Sequence, residues 1–227
     1  MDLKGVLFDF GDTLAYVDRE RNNQYRKEVM LVLRKNGYEG SSEKLDEIFD
    51  ETYWLSSRGD FQSVEEFWES FLRRLGVKGT LSADKLEKVR KTYQNSLFKL
   101  YDGVFDVLSH LKRLYKLALV SNCAIGTFDM ISHMGLVSFF ESIVLSYEIR
   151  IRKPDRRVHL EALRHLSLEP CECIFVADEI SDLEGAREVG LKTLLVKQGT
   201  STMREAKDVN FKPDYECDRI QEIKNLL

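Results

Sequence analysis

The sequence lacks several features that would each point to a particular class of protein. It has only four cysteines in 227 residues. Cys171 and Cys173 are separated by one residue and have no matching second pair, so the spacing predicts buried thiols and no zinc site. No apolar run approaches the roughly 20 residues of a membrane span, and the first residues lack the basic and apolar regions of a signal peptide. We therefore expect a cytoplasmic protein without a membrane partner.

An excess of positive charge is also missing. The chain has 34 Lys and Arg against 38 Asp and Glu, a net charge of −4 at pH 7. Without a broad cationic field a dedicated nucleic-acid binder is disfavoured, and a small substrate is the better expectation. The length and the 43% content of hydrophobic residues are sufficient for one large domain, or for one domain that carries a smaller second one.

Short apolar runs alternate with segments of helical periodicity over much of the chain. Runs typical of buried parallel strands occupy residues 5–10, 116–121, 142–145, 173–177 and 191–196. Apolar residues recur at helical spacing at residues 104–114, 127–135, 157–166 and 181–189. This alternation predicts an α/β fold with a Rossmann-like, doubly wound parallel sheet.

Residues 16–100 break the alternation. They contain four amphipathic helical stretches, at residues 22–35, 42–53, 63–75 and 82–98, and no convincing strand. We predict a helical domain at residues 16–100, inserted into a core domain made of residues 1–15 and 101–227. The aromatic residues that recur at helical spacing in it predict its apolar core: Tyr53, Trp54, Phe67, Trp68 and Phe71.

Polar residues stand where the predicted strands end. In an open α/β sheet, ligands bind beyond the carboxyl ends of the strands, so these side chains are expected to meet in one crevice. Each alone is as well or better explained as a turn former, a helix cap or a solvated side chain; their combination and order favour a site. They are Asp9, Asp12 and Thr13, then Ser121 and Asn122, then Lys153, and finally Asp178 and Asp182.

Four segments in this order resemble the haloacid dehalogenase (HAD) superfamily of hydrolases. They are VLFDFGDTL at residues 6–14, LVSN at 119–122, RKPD at 152–155 and FVADEISDLEGAR at 175–187. The resemblance implies that the helical insertion is a cap over the active site. It also implies a Mg²⁺-dependent phosphatase that acts on a small phosphorylated metabolite.

The same resemblance assigns a role to each motif residue. Asp9 would be the nucleophile that forms an aspartyl-phosphate, and Lys153 would neutralise the charge on Asp9 and on the phosphoryl group. Ser121, Asn122 and Lys153 would bind the substrate. The Mg²⁺ ligands would be Asp9, the backbone carbonyl of Gly11, Asp178 and Asp182.

The first motif departs from the usual phosphatase pattern. Gly11 stands where such enzymes have a second Asp that acts as general acid and base. General acid catalysis typically contributes ~10²- to 10⁴-fold, so we expect slow turnover of substrates with poor leaving groups. Asp12 is a possible replacement for the missing acid.

Two other functions stay open at this point. A metal-independent 2-haloacid dehalogenase uses the same Asp to attack carbon, and Gly11 is compatible with it. The acidic pair Asp178 and Asp182 argues against it, because these carboxylates would repel a carboxylate substrate in a site without metal. The other is a non-catalytic binding protein on a HAD fold, and the retained motif residues argue against it. The sequence does not indicate the oligomeric state or the particular metabolite.

Overall fold

The computed structural model describes residues 3–77, 82–199 and 211–227, so the parts of the predicted domains at residues 1–2, 78–81 and 200–210 lie outside the described residues. The strands β1 to β8 of the described chain are Gly5–Phe8, Ala15–Val17, Phe98–Leu100, Lys116–Ser121, Ser142–Leu145, Cys173–Ala177, Lys192–Val196 and Tyr215–Cys217. The helices α1 to α10 are Arg19–Lys35, Ser42–Ser57, Val64–Arg74, Ala83–Tyr93, Val104–Leu111, Thr127–His133, Ser146–Ile149, Arg157–Leu166, Ile180–Val189 and Ile223–Leu226.

Six strands form one sheet in the order β5-β4-β1-β6-β7-β8, and every neighbouring pair is parallel. Side chains of β1 alternate between two apolar layers: Val6 and Phe8 pack with α5 and α6 on one face, and Leu7 packs with α8 and α9 on the other. A sheet covered on both faces has continuously apolar strands, which is why β1 is buried at all four positions. The predicted α/β fold with a Rossmann-like parallel sheet is confirmed.

Helices α1 to α4 form an insertion between β2 and β3 with an apolar cluster of its own. Trp68 is completely buried in this cluster, with Phe67 and Phe71 edge-on against its ring. The helices begin at side-chain caps: Asp18 accepts from the amides of residues 20 and 21, and Ser63 accepts from the amide of Glu66. Such caps pair amide groups that a helix leaves open at its first turn.

The structure corrects the predictions for two segments. Residues 16–100 are not free of strand, because β2 and β3 pair antiparallel with each other. Strands of three residues are too short to show a period, and these two are about 80 residues apart in sequence. Strand β8, the edge strand of the sheet, was not predicted either, because it is equally short and shows no period.

Two expectations about burial are also corrected. Cys123, Cys173 and Cys217 are buried thiols, but Cys171 lies exposed in the turn before β6. Tyr53 and Trp54 are 45% and 47% exposed, so they do not belong to the apolar core of the insertion. Within the described ranges, no helix is long and apolar enough to cross a membrane.

Candidate active site

The carboxyl ends of β1, β4 and β6 bring the predicted residues together. Phe8, the last residue of β1, pairs with Leu119 of β4 and with Val176 of β6. Asp9 therefore lies one residue beyond the pairing, between the end of β4 at Ser121 and Asp178 just after β6. Asp9, Ser121 and Asp178 are all at least nine-tenths buried. The three side chains share one crevice at the carboxyl ends of the strands.

Lys153 occupies the centre of this crevice. Its side chain is almost completely buried, and its Nζ lies 2.5 Å from Asp9 Oδ1 and 2.6 Å from Asp182 Oδ2. A buried ammonium is stable only when such partners offset its desolvation. Lys153 thus links the first motif to α9.

Thr13 connects the two acids on either side of the crevice. Its hydroxyl accepts a hydrogen bond from the amide of Asp178 at 3.1 Å and lies 3.2 Å from Asp178 Oδ1 and 3.4 Å from Asp9 Oδ2. The hydroxyl has one proton, so it donates to one of these carboxylates at a time. This arrangement leaves Asp178 Oδ2 buried with no hydrogen-bond partner among the described residues.

The backbone of Lys153 is held by Asn122. The Asn122 side chain donates to the Lys153 carbonyl at 3.0 Å and accepts from the Lys153 amide at 2.8 Å. These two bonds position the lysine loop, a task that the sequence analysis did not foresee for Asn122. Helix α9 approaches the same loop so closely that a Cβ on Gly185 would lie 2.2 Å from the carbonyl oxygen of Pro154.

Burial and mutual repulsion shift the acid–base properties of the site. Burial, and then the charge of Asp9, raise the pKa of Asp178 to about 8. Burial also raises the pKa of Asp9, against the opposing effect of Lys153. Burial alone would lower the pKa of Lys153. Its charge pairing with Asp182 and Asp9 has the larger effect, so the pKa of Lys153 is raised. The site holds more carboxylates than its one lysine can neutralise.

The residues fit a divalent cation beside Asp178. Its unpartnered Oδ2 is a hard oxygen donor, and a Cβ on Gly199 would approach that oxygen to 3.0 Å, so only glycine leaves the space beside it open. Mg²⁺ prefers carboxylate, carbonyl and water oxygens and usually needs only one or two protein carboxylates. No cluster of three or more acidic, histidine or cysteine side chains suited to a metal occurs in the described part of the chain, so Asp9, Asp178 and Asp182 do not form a ready three-carboxylate site while Asp182 is paired with Lys153.

Gly11 and Asp12 lie in the turn that follows Asp9. A Cβ on Gly11 would meet no atom within 4 Å, so the space for a larger side chain is open. Asp12 has φ of 54° and lines a groove with Tyr16 and Lys99. It also lies near Asp178: a Cβ on Gly199 would be 2.8 Å from Asp12 Cβ and 3.0 Å from Asp178 Oδ2, and the Asp12 charge, after burial and the charge of Asp9, helps to raise the pKa of Asp178.

Sequence reasoning missed several residues of the site. Gln198 donates to the Thr13 carbonyl at 2.8 Å and accepts from the amide of Ile220 at 2.9 Å, which fixes the turn after β1. Burial, and then Asp182, raise the pKa of Glu179 to about 7. Glu179 is adjacent to Asp178 in the fourth motif, so its position was a usable signal. Gln198 and Gly199 follow β7 in a segment without any motif, and only the fold brings them to the crevice.

Comparison with known proteins agrees with this fold. A profile described as haloacid dehalogenase-like hydrolase matches residues 6–196. The chain belongs to this family and is a HAD-family hydrolase.

Its relatives include both phosphatases and dehalogenases. The chain is 27% identical over 230 residues to a glyceraldehyde 3-phosphate phosphatase of Methanopyrus kandleri, covering 99% of this chain and 97% of the relative. It is 28% identical over 235 residues to an (S)-2-haloacid dehalogenase of a Pseudomonas species, covering 100% of this chain and 92% of the relative.

A solved structure with the same fold is a HAD family enzyme from Bacteroides thetaiotaomicron, crystallised as a complex with magnesium and inorganic phosphate. It superposes with a TM-score of 0.64 at 23% identity, covering 87% of this chain and 96% of that chain.

Proposed function

We propose that this protein is a Mg²⁺-dependent phosphohydrolase that acts on a small phosphorylated metabolite through an aspartyl-phosphate on Asp9. The observation that carries the proposal is the buried Asp178 oxygen without a partner, next to an Asp9 that is paired with Lys153. An acidic pocket with this unsatisfied oxygen suits a cation that in turn binds a phosphoryl group.

The reaction has two displacements at phosphorus. The Asp9 carboxylate attacks the phosphoryl group, the bond from phosphorus to the alcohol oxygen breaks, and the alcohol takes a proton from solvent. Water then attacks the aspartyl-phosphate, which releases inorganic phosphate and restores the carboxylate. Lys153 orients Asp9 and offsets negative charge in both steps, and Ser121, with Asn122 through the lysine loop, positions the phosphoryl oxygens.

Asp9, the Gly11 carbonyl and Asp178 would hold Mg²⁺, and Asp182 would contribute through water while it remains paired with Lys153. When bound, the cation supplies electrostatic stabilisation of the transferring phosphoryl group. Asp12, whose charge acts on Asp178, stays in the proposal as the candidate replacement for the missing general acid.

Residues 16–100 are proposed to act as a cap that excludes water from the acyl-phosphate. Contacts between the insertion and the core support this role, among them the hydrogen bond from the Ile125 amide to Ser56 Oγ at 3.0 Å. The small substrate is supported by a relative named for glyceraldehyde 3-phosphate. The expected cytoplasmic location and the absence of nucleic-acid or membrane partners remain part of the proposal and rest on composition and charge.

Dehalogenation is the second candidate, because a relative of full length is a haloacid dehalogenase. The charge of the site disfavours it. A haloacid carries a carboxylate of its own, and it would bring a third negative charge to Lys153, which already pairs with Asp9 and Asp182.

The first experiment measures phosphate release from acetyl phosphate and p-nitrophenyl phosphate with Mg²⁺ and with EDTA. Their good leaving groups need little proton transfer. We expect Mg²⁺-dependent release that falls at least about 10³-fold in Asp9→Asn, because the amide is a poor nucleophile. Asp84→Asn, at an exposed position on α4, is the matched control and should behave like the wild type. Halide release from a 2-haloacid without phosphate release would contradict the proposal.

A further inference from the structure

A cavity of about 310 Å³ lies where the helical insertion meets the core. Its walls are mainly apolar and come from both parts of the chain; they include Tyr25, Phe49 and Phe67 of the insertion, Phe98 of β3 and Met130 of α6. This volume is at the lower end of the range of ~300–1,000 Å³ for small-molecule sites. It suits a group of about the size of one substituted ring.

Two of the residues that line this cavity lie on the side toward the phosphoryl site. Ala124, three residues after Ser121, and Tyr53 of α2 both line the cavity. The Tyr53 hydroxyl lies close to the Ala124 backbone. Burial of this hydroxyl, then Cys123 and to a lesser extent Asp9, raise the pKa of Tyr53, although the residue as a whole is 45% exposed. Asp9 and Lys153 are not among the described residues that line the cavity, so a ligand with its phosphoryl group at Asp9 would reach the cavity only by extending past Ala124 and Tyr53.

The charges in the cavity wall are already neutralised. Arg90 makes two hydrogen bonds of 2.7 Å to the carboxylate of Glu87. Arg26 pairs with Asp46 at 2.5 Å and with Asp50 at 3.3 Å. Both arginines that line the cavity in the described part of the chain are thus paired, so the wall offers no cation for a second phosphate or a carboxylate.

One polar atom in the wall has no partner. Gln94 lines the cavity, and its Oε1 is buried without a hydrogen bond to any described residue. The oxygen has almost no accessible surface in this conformation, so a ligand donor reaches it only when the Gln94 side chain rotates toward the cavity. A buried acceptor in this state is unfavourable unless a ligand supplies a donor.

We propose that the substrate is the phosphate monoester of a largely apolar alcohol, aryl or branched alkyl, that carries one hydrogen-bond donor for Gln94 Oε1. The inference rests on the proposed phosphatase function and names the class of substrate for that site. Burying one ring in this cavity favours such a substrate over a polyol phosphate of similar length.

A second concave surface would favour the opposite class of substrate, one that carries a second anionic group. A groove beside the insertion is lined by Arg58, Arg150 and Arg152, and Trp54 lies against two of these guanidinium groups. A substrate with a second anionic group would use this arginine groove instead of the cavity.

The test compares kcat/KM for 2-(4-hydroxyphenyl)ethyl phosphate, 2-phenylethyl phosphate, glycerol 3-phosphate and 3-phosphoglycerate. All four esters are primary alkyl phosphates, so their leaving groups need similar proton help. We expect the hydroxyphenyl ester to exceed glycerol 3-phosphate by at least about tenfold, with the phenyl ester between them. Equal or higher kcat/KM for either glycerol-based substrate overturns the inference.

Two variants localise the preference. Val64→Trp adds a ring to the cavity wall and should lower kcat/KM for the two phenylethyl esters at least about tenfold more than for acetyl phosphate. Leu114→Trp makes the same addition at an exposed position just before β4, at the amino ends of the strands. It should leave these ratios unchanged. If Val64→Trp does not fold, Gln94→Leu, which adds little volume, should abolish the advantage of the hydroxyphenyl ester over the phenyl ester.

Acetyl phosphate separates the two possible failures. If Asp9-dependent hydrolysis of acetyl phosphate occurs but the two phenylethyl esters have no advantage, the inference fails while the proposed function stands. If no phosphate is released from any compound, the proposed function fails and the inference fails with it.

Discussion

At the residue scale, Lys153 supplies the positive charge that offsets the carboxylates of the crevice. Its ammonium bridges Asp9 and Asp182, whereas Asp178 is left without a cation among its described hydrogen-bond partners. Removing one partner of a buried pair is costly, because the other charge stays buried and unpaired. The lysine therefore has a structural as well as a chemical reason to be in this position.

Gly11 stands at the position of the general acid that the proposed reaction lacks, and the space for an acidic side chain there is open. A Cβ would meet nothing within 4 Å, and Gly11 is not among the glycines with positive φ. We expect Gly11→Asp to raise kcat for primary alkyl phosphates at least about tenfold, because a positioned acid can protonate the leaving oxygen. Acetyl phosphate turnover should change much less. Steady-state kinetics on both substrates measure the difference.

Gly11→Asn is the matched control for this prediction. Asparagine has nearly the same shape as aspartate but has no carboxylic acid proton to give. A similar gain in both variants would show that packing, not proton transfer, had changed. No gain in Gly11→Asp would show that the acid is not what limits the rate.

At the element scale, the contact between α9 and the lysine loop sets the distance from Lys153 to Asp182. The carbonyl of Pro154 lies where a Cβ of residue 185 would be, and Asn122 holds the loop from the other side. The loop therefore has little room to move away from the helix. Asp182 is on the first turn of the same helix, so any displacement of α9 changes the ion pair.

Gly185→Ala should separate α9 from the loop and misplace Lys153. We expect a loss of stability of about 1–3 kcal/mol from overpacking and a fall in kcat of about 10- to 100-fold in the enzyme that remains folded. Thermal melting and active-site-normalised kinetics measure the two effects separately.

Gly5→Ala is a comparable variant that crowds the amino end of β1, away from the crevice. Its Cβ would lie 2.7 Å from Cys173 Sγ and from Leu168 Cδ1. It should lower stability but leave kcat of the folded enzyme close to the wild type. Equal kcat losses in the two variants would mean that general destabilisation, not Lys153 placement, lowers activity.

At the scale of the whole molecule, the core carries a buried histidine that makes the fold sensitive to acid. His159 on α8 is completely buried, packs against the ring of Phe175, and has neither ring nitrogen hydrogen-bonded to a described residue. Burial, and then the charge of Lys153, lower its pKa to about 3. Protonation of this ring therefore favours the unfolded chain.

The sign of the pH effect follows from this lowered pKa. Between pH 3 and pH 6.5 the unfolded chain binds the proton and the native protein does not, so acidification lowers the free energy of unfolding by about 1.4 kcal/mol per pH unit from this group. We expect His159→Leu to be at least as stable at pH 7 and to lose stability less steeply toward pH 4. Urea unfolding at several pH values measures the slope.

His133→Leu, at an exposed position on α6, is the control for this comparison and should keep the wild-type slope. If His159→Leu also keeps that slope, the acid sensitivity of the fold comes from other groups.

The core of the fold could be predicted from sequence because each central strand has its own local signal. The apolar run at residues 173–177 matches β6 residue for residue, and the stop at Gly190 ends α9 as expected. Strands β2 and β3 could not be predicted, since each has three residues and owes its conformation to the other. The exposure of Tyr53 and Trp54 was also beyond the periodicity, because it depends on where α2 meets the core.

The sequence by itself determined the fold class and the order of the motif residues, because apolar periodicity and strand-end chemistry are local properties of the chain. Only the tertiary structure decided that Lys153 lies between Asp9 and Asp182, that Asn122 holds the lysine loop, and that Gly199 leaves Asp178 open. The cavity beside Tyr53 belongs to the same category. These features are distances between segments far apart in the chain, and long-range packing, not local pattern, sets such distances.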